Sequence, residues 1–179
     1  MVMRHVLLIL IISLVATSCN KKSKSETVIS GSSAYVGKTY TLCSNDTSHS
    51  TFQEIQFIDS ENYSWKTTYY SATDCLDADK TTSDIYTGKY RYDSRAEIFA
   101  ELALKNEMTL HTQALVDSIK NDANQNCGFT DWEVDVPKDI TGALSCYGGT
   151  FEPYTEYDPI PGSSLSAEVV NIYGISFYP

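Results

Sequence analysis

The chain has 179 residues, with 23 Asp and Glu against 13 Lys and Arg, for a formal charge of −10. So acidic a chain lacks the clustered Lys and Arg that nucleic acid demands, and anionic lipid would repel it. Its length suits one domain with a core of its own, and its charge admits a cation or a basic partner.

The chain opens on an export signal. Arg4 and His5 are followed by Val6 to Val15, apolar except for Ser13. That run falls well short of the roughly 20 apolar residues a membrane helix needs, and fits the apolar stretch of a cleaved signal peptide. Ala16-Thr17-Ser18-Cys19 then resembles a bacterial lipobox. The resemblance implies a diacylglyceryl thioether on Cys19, cleavage after Ser18 and N-acylation, which together supply the several acyl chains that stable anchoring requires. Asn20 in place of Asp implies sorting to the outer membrane of a bacterial envelope, with the face left open. Residues 20–34 are polar, Ser-rich and aperiodic, as a tether would be. The expected division is therefore 1–18 signal peptide, 19–34 lipidated cysteine and flexible tether, and 35–179 a β domain.

Period-two apolar stripes mark the strands that follow. Tyr40 and Leu42 form one, Ile55 and Phe57 a second, and Tyr63, Trp65, Thr67 and Tyr69 a third. Tyr86, Gly88, Tyr90 and Tyr92 form a fourth. Ile98, Ala100, Leu102 and Leu104, opposing Glu97 and Glu101, form a fifth. Met108, Leu110 and Ala114 form a sixth, set off by a polar turn at Lys105-Asn106-Glu107. Short turns between successive strands predict an antiparallel meander. Val116, Ile119 and Ala123 predict one short helix near 116–124. Residues 127–149 read as an irregular loop carrying Trp132, a plug over one end of the fold. Glu152 to Tyr157 is a seventh strand candidate, Asp158 to Gly162 a proline-bearing turn, and Leu165 to Phe177 one or two closing strands. The fold class expected is all-β, with the meander closed into a barrel of about eight strands so that no edge is left open.

Four cysteines remain beyond Cys19, and an even number in an exported chain reads as disulfides. Three pairings are open; Cys43–Cys75 and Cys127–Cys146 are favoured because both are local. No CxxC or CxxH spacing offers a zinc site.

Gly37-Lys38-Thr39-Tyr40, Cys43, Tyr63 to Trp65 before Cys75, Thr87-Gly88-Lys89-Tyr90, Cys127 to Trp132 and Lys138 to Gly142 together resemble lipocalin-like (calycin-like) barrel domains of bacterial lipoproteins. The resemblance implies an interior that is filled by side chains or holds one small ligand.

Nothing marks a catalytic residue. His49 lies in a Ser/Thr-rich turn and His111 on a polar strand face, with no Gly-x-Ser-x-Gly elbow and no HExxH. Glu97 and Glu101 read as a solvent-facing acidic edge. Asp74, Asp77, Asp79 and Asp84 cluster near Cys75 without the register of an EF-hand loop. No metal and no cofactor is expected. The aromatic load of 13 Tyr, six Phe and two Trp is more informative. Tyr63, Trp65, Tyr69, Tyr86, Tyr90 and Tyr92 are the candidate ligand-binding residues, with a filled core as the other way to use those rings. The expectation is a non-enzymatic, membrane-anchored carrier of a small apolar ligand. The alternatives are a binder or inhibitor of a basic protein, and a purely structural envelope component.

Overall fold

The computed structural model describes residues 34–143, 146 and 151–179. The export signal, Cys19 and all but the last residue of the tether lie outside them. Five long or medium strands run in sequence: β1 Thr39–Asn45, β2 Ser50–Phe57, β3 Asn62–Tyr70, β4 Lys80–Asp93 and β5 Ile98–Leu110. Helix α1 spans Gln113–Ile119. Short strands follow: β6 Lys138–Asp139, β7 Asp158–Pro161, β8 Ser164–Leu165, β9 Val170–Ile172 and β10 Ile175–Phe177. The main sheet is the meander β1-β2-β3-β4-β5, every pair antiparallel, with β6 and β7 both added along β5. The last three strands make a small second sheet. No helix of the described residues is long and apolar enough to cross a membrane.

The meander and the all-β class stand as expected, but the barrel does not close. The main sheet has seven strands and turns through 201°, a half-barrel. The small sheet supplies a lid instead of a wall. It is stitched to β1 by a two-way bond between Thr41 and Tyr178, with N···O distances of 2.7 and 3.1 Å. One edge is thereby blunted without continuous pairing.

The largest departure from the sequence pattern is in β5. Lys105-Asn106-Glu107 is no turn; residues 98–110 are one strand with a bulge. Thr87 faces Lys105 while Gly88 faces Ala103, so Leu104 is the inserted residue, and it lies exposed. A bulge shifts the side-chain period by one. Phe99, Glu101 and Ala103 therefore share the inner face with Asn106, Met108 and Leu110. The stripe Ile98-Ala100-Leu102-Leu104 is the outer one, and Glu101 is buried. Phe99 decides the phase, because its ring is fully enclosed and stacks on Tyr90 at 5.8 Å.

The proline turn also needs correcting. Asp158–Pro161 is strand β7, paired through Ile98↔Pro161 and Phe99↔Ile160. Proline is tolerated on such an edge, where its missing N–H points away from the neighbouring strand. Glu152 to Tyr157 is irregular instead. The helix begins earlier than 116. Thr112 caps it, its hydroxyl accepting from the Leu115 N–H at 3.3 Å, and Asp122 then turns the chain by accepting from Asn124 at 2.9 Å. Capping chemistry set both ends, while the apolar pair Val116 and Ile119 is buried as its spacing predicts.

Two cores form on the inner face. The first gathers Tyr40, Ile55, Phe57, Tyr63, Tyr90 and Phe99 from the main sheet under Val170, Ile172 and Phe177 of the small one. Each fully enclosed side chain of this size contributes about 1.5–3 kcal/mol. The second packs Met108 and Leu110 of β5 against Val116 and Ile119 of α1, with Trp132 and Ile140. Both cysteine pairs join locally. Cys43–Cys75 closes a separation of 32 residues and Cys127–Cys146 one of 19, each worth about 3–4 kcal/mol on the chain-entropy account. Trp132 is held under the second bridge, its indole N–H donating to the Asn126 carbonyl at 2.9 Å.

At the bulge, a Cβ added to Gly88 would strike the Leu102 carbonyl oxygen and lie 2.9 Å from the Ala103 Cα, both backbone. Gly88→Ala should lower stability by about 3 kcal/mol or more, since two strands must part to admit one methyl. Urea unfolding measures it, and a variant with the wild-type midpoint would show that the approach is not close.

Candidate functional site

Between the two cores, the described residues of the inner face include several side chains that stay partly exposed. Strand register places its residues in rows. Trp65 of β3, Tyr86 of β4 and Asn106 of β5 form one row, Thr67, Asp84 and Met108 the next, and Tyr69, Thr82 and Leu110 a third. Asp84 therefore stands at the centre. Its direct cross-strand neighbours are Thr67 and Met108, and Trp65, Tyr69 and Asn106 are diagonal to it, a range that long and aromatic side chains span. Tyr69 is 40% exposed, while Trp65 and Tyr86 are half-buried. On the side of the first core, Tyr173 leans in, its ring 6.2 Å from that of Trp65. This stretch of the inner face, aromatic at its sides and polar at its centre, is termed the trough; it is defined by strand register, and the hollow at Asn106 does not extend to Asp84.

The floor holds polar atoms without partners. Among the described residues, Asp84 Oδ1 is enclosed and accepts no hydrogen bond, and neither amide atom of Asn106 has one. Asn106 is only 4% exposed. Its main chain is by contrast well held: the N–H donates to Thr141 Oγ1 at 2.8 Å and the carbonyl accepts from Ile140 at 2.9 Å. The side chain borders a hollow of about 30 Å³ with Tyr86, Lys105, Thr141, Phe151, Glu152 and Tyr154. Buried polar groups in native proteins are nearly always paired, so unpaired ones at the edge of a hollow ask for an occupant.

Burial controls the ionisation here. It pushes the Asp84 carboxyl up to about 6, with no cation near to oppose it. It pushes the Tyr86 hydroxyl up to about 12, helped by the Asp84 charge and by Tyr69; proximity to the Asn106 amide offsets this only in part, without hydrogen-bond geometry between them. Glu101 is raised by burial too, although hydroxyls restrain it: Tyr63 donates to Oε2 at 2.7 Å and Tyr173 to Oε1 at 3.3 Å. Glu101 is thus satisfied where Asp84 is not.

The six rings singled out by pattern divide evenly. Trp65, Tyr69 and Tyr86 border the trough, Trp65 also packing against the first core with its ring edge-on to Phe177 at 5.5 Å. Tyr63 and Tyr90 belong to the first core, the Tyr90 hydroxyl donating to the Asp59 carbonyl at 2.8 Å. Tyr92 braces the small sheet, accepting from the Leu165 N–H at 3.3 Å. The sequence pattern does not single out Asn106 or Tyr173, and it groups Asp84 with the acidic loop. Yet Asp84 continues the stripe Tyr86-Gly88-Tyr90 one step backwards, a signal legible in the sequence. Asn106 is hidden by the bulge.

The outer face carries a second polar array. Thr68 Oγ1 lies 3.0 Å from Ser83 Oγ, Ser83 Oγ 2.8 Å from His111 Nε2, and His111 Nδ1 2.6 Å from Asp135 Oδ1. His111 is thus tied into the sheet and is not a freely solvated side chain. The order Ser-His-Asp invites comparison with hydrolases, but a nucleophile must be reached. Ser83 is 2% exposed, lies in mid-strand and shares its hydroxyl with the buried Thr68. Nearby, a hollow of about 180 Å³ beside Cys75 is lined by charges that already pair, Lys66 with Glu54 at 3.2 Å and Lys80 with Asp77 at 2.8 Å. The acidic loop disperses: Asp77 takes Lys80 and Asp84 faces the trough. Among the described residues no three His, Cys, Asp or Glu converge as metal ligands.

No family model matches this chain, and a search of curated proteins finds no relative. The site therefore rests on its own geometry.

A carboxyl whose folded value is raised is stabilised in its protonated form. The folded state binds the extra proton between about pH 4 and 6, so stability falls as pH rises through that window and stays reduced above it. A rise from the ordinary Asp value to about 6 corresponds to a penalty of up to about 3 kcal/mol at neutral pH. Asp84→Asn should therefore be the more stable protein at pH ~7 and nearly equal to wild type at pH ~4. Urea midpoints at the two pH values test this; a variant weaker than wild type at neutral pH would contradict it.

Proposed function

We propose that this protein is a lipid-anchored component of a bacterial envelope, held in the outer membrane through acylated Cys19, that carries a small ligand in the trough of a lipocalin-like half-barrel. The fold is read as an opened lipocalin-like barrel, with the small sheet as a lid over the first core. The observation that carries the binding function is the partly exposed stretch of inner face itself. Two cores flank it, yet Tyr69 stays exposed and Trp65 and Tyr86 only half-buried around enclosed, unpaired polar atoms. A domain selected only for packing would have covered them. No role in the proposed function requires catalysis. Capture of a basic protein is the second reading, favoured by the formal charge of −10. It explains the acidity but leaves the ring-lined trough without a use.

Trp65 is the reporter for the leading reading. A neutral lipophilic probe such as N-phenyl-1-naphthylamine should quench its fluorescence saturably, and Trp65→Phe should abolish the response, leaving only the signal of buried Trp132. Linear, unsaturable quenching would count against carriage.

The anchor has its own test. The mature protein isolated from membranes should begin at Cys19 and carry the mass of three acyl chains, and an unmodified Cys19 would remove the lipid from this proposal.

A further inference from the structure

We infer that the trough takes a small organic cation, with its ammonium group against the Asp84 carboxylate and a hydrogen-bonding arm directed at Asn106. The inference rests on the carrier reading above and gives its ligand a chemical class. Asp84 is central in the register, ringed by Trp65, Thr67, Tyr69, Tyr86, Asn106 and Met108. None of these six is Lys, Arg or His, and Lys105, which lines the hollow at Asn106, pairs instead with Glu107 and Asp139. The Asp84 Oδ1 is enclosed and accepts no bond among the described residues. A half-buried carboxylate with one oxygen enclosed and no cation beside it is an incomplete pair. Aromatic rings on either side are the companions an ammonium group favours, by attraction to their π faces.

Asn106 is the independent second observation. At 4% exposure it keeps an unpaired amide donor and an unpaired amide acceptor beside a hollow of about 30 Å³. That space admits a hydroxyl or amide arm but no second ring. A wholly apolar ligand would leave Asp84 Oδ1 and both Asn106 atoms unsatisfied, and an anion would meet the unpaired carboxylate.

The groups facing Asp84 allow a clean pH test. From β3 come Thr67 and Tyr69, from its own strand Tyr86, and from β5 Asn106 and Met108. The two tyrosine hydroxyls are both pushed up from their ordinary value by burial, so among the groups facing Asp84 only its own carboxyl titrates in the acid range; Glu152 and Lys105 line the hollow at Asn106, and Asp84→Asn separates their effect from that of Asp84.

The experiment is calorimetric titration of the full mature chain with choline, a quaternary ammonium bearing one hydroxyl, and with 3,3-dimethyl-1-butanol, its uncharged carbon isostere. Choline should bind saturably and at least about tenfold more tightly than the isostere. Asp84→Asn should lose at least about tenfold in choline affinity. With wild type, affinity should fall as pH drops from about 7.5 to about 5, because the carboxylate is being protonated. The isostere comparison needs no mutant and so decides the matter even if the variant misfolds. Equal binding of the isostere, or choline affinity indifferent to both pH and Asp84→Asn, would overturn the cation while leaving carriage intact if the neutral probe still quenches Trp65. Failure of choline and the neutral probe together would overturn both.

Discussion

One strand pair organises this molecule. β5 carries two apolar sets of opposite parity, Phe99 and Ala103 before the bulge, Met108 and Leu110 after it. A regular strand would turn one set outward. The insertion of Leu104 opposite Gly88 rotates the strand by one residue, and both sets then face inward. Only a glycine allows the two backbones to approach as they do at that point. The first core, under the small sheet, and the second, under α1 and Trp132, are both built on this one strand. The space between them lies where the phase changes.

That space explains why the trough has a polar floor. Asn106 is the first inward residue after the bulge, its backbone pinned by Thr141 and Ile140. Asp84 lies diagonal to it on β4, directly across from Met108 of the second core. The Asp84 Oδ1 and the Asn106 amide are enclosed by strands and not by partners. Contrast Glu101, on the same face: it receives hydroxyls from Tyr63 and Tyr173 and is tied into the first core. Two carboxyls on adjacent strands, Glu101 buried and Asp84 half-buried with Oδ1 enclosed, differ in whether their enclosed oxygens are paired. Unpaired ones cost stability, and proteins tolerate that cost chiefly where binding requires it.

The outer face shows the opposite economy. Thr68, Ser83, His111 and Asp135 pass hydrogen bonds from strand to strand and into the loop after α1. The hollow beside Cys75 is edged by matched ion pairs. Each of these named groups has a partner, and the array ties β3 and β4 to the end of β5 and the loop after α1. Chemistry by resemblance, a serine beside a histidine beside an aspartate, carries little weight when the serine hydroxyl is already shared and enclosed. The inner trough looks less like any known constellation, yet it holds the unsatisfied groups.

Amino-acid order alone determined the strand-forming stripes, the antiparallel meander and the two local disulfides. It also determined the amphipathic pair Val116 and Ile119, because period, turn chemistry and cysteine parity are local properties. It named three rings of the trough, Trp65, Tyr69 and Tyr86, for the same reason. The phase change in β5 was beyond it, since a bulge is a relation between two strands and Lys105-Asn106-Glu107 has the composition of a turn. So were the proline-bearing edge strand, the sheet's stop at a half-barrel and the isolation of Asp84. Each depends on which surface lies opposite, and only the folded chain decides what a buried carboxylate finds, or fails to find, within reach.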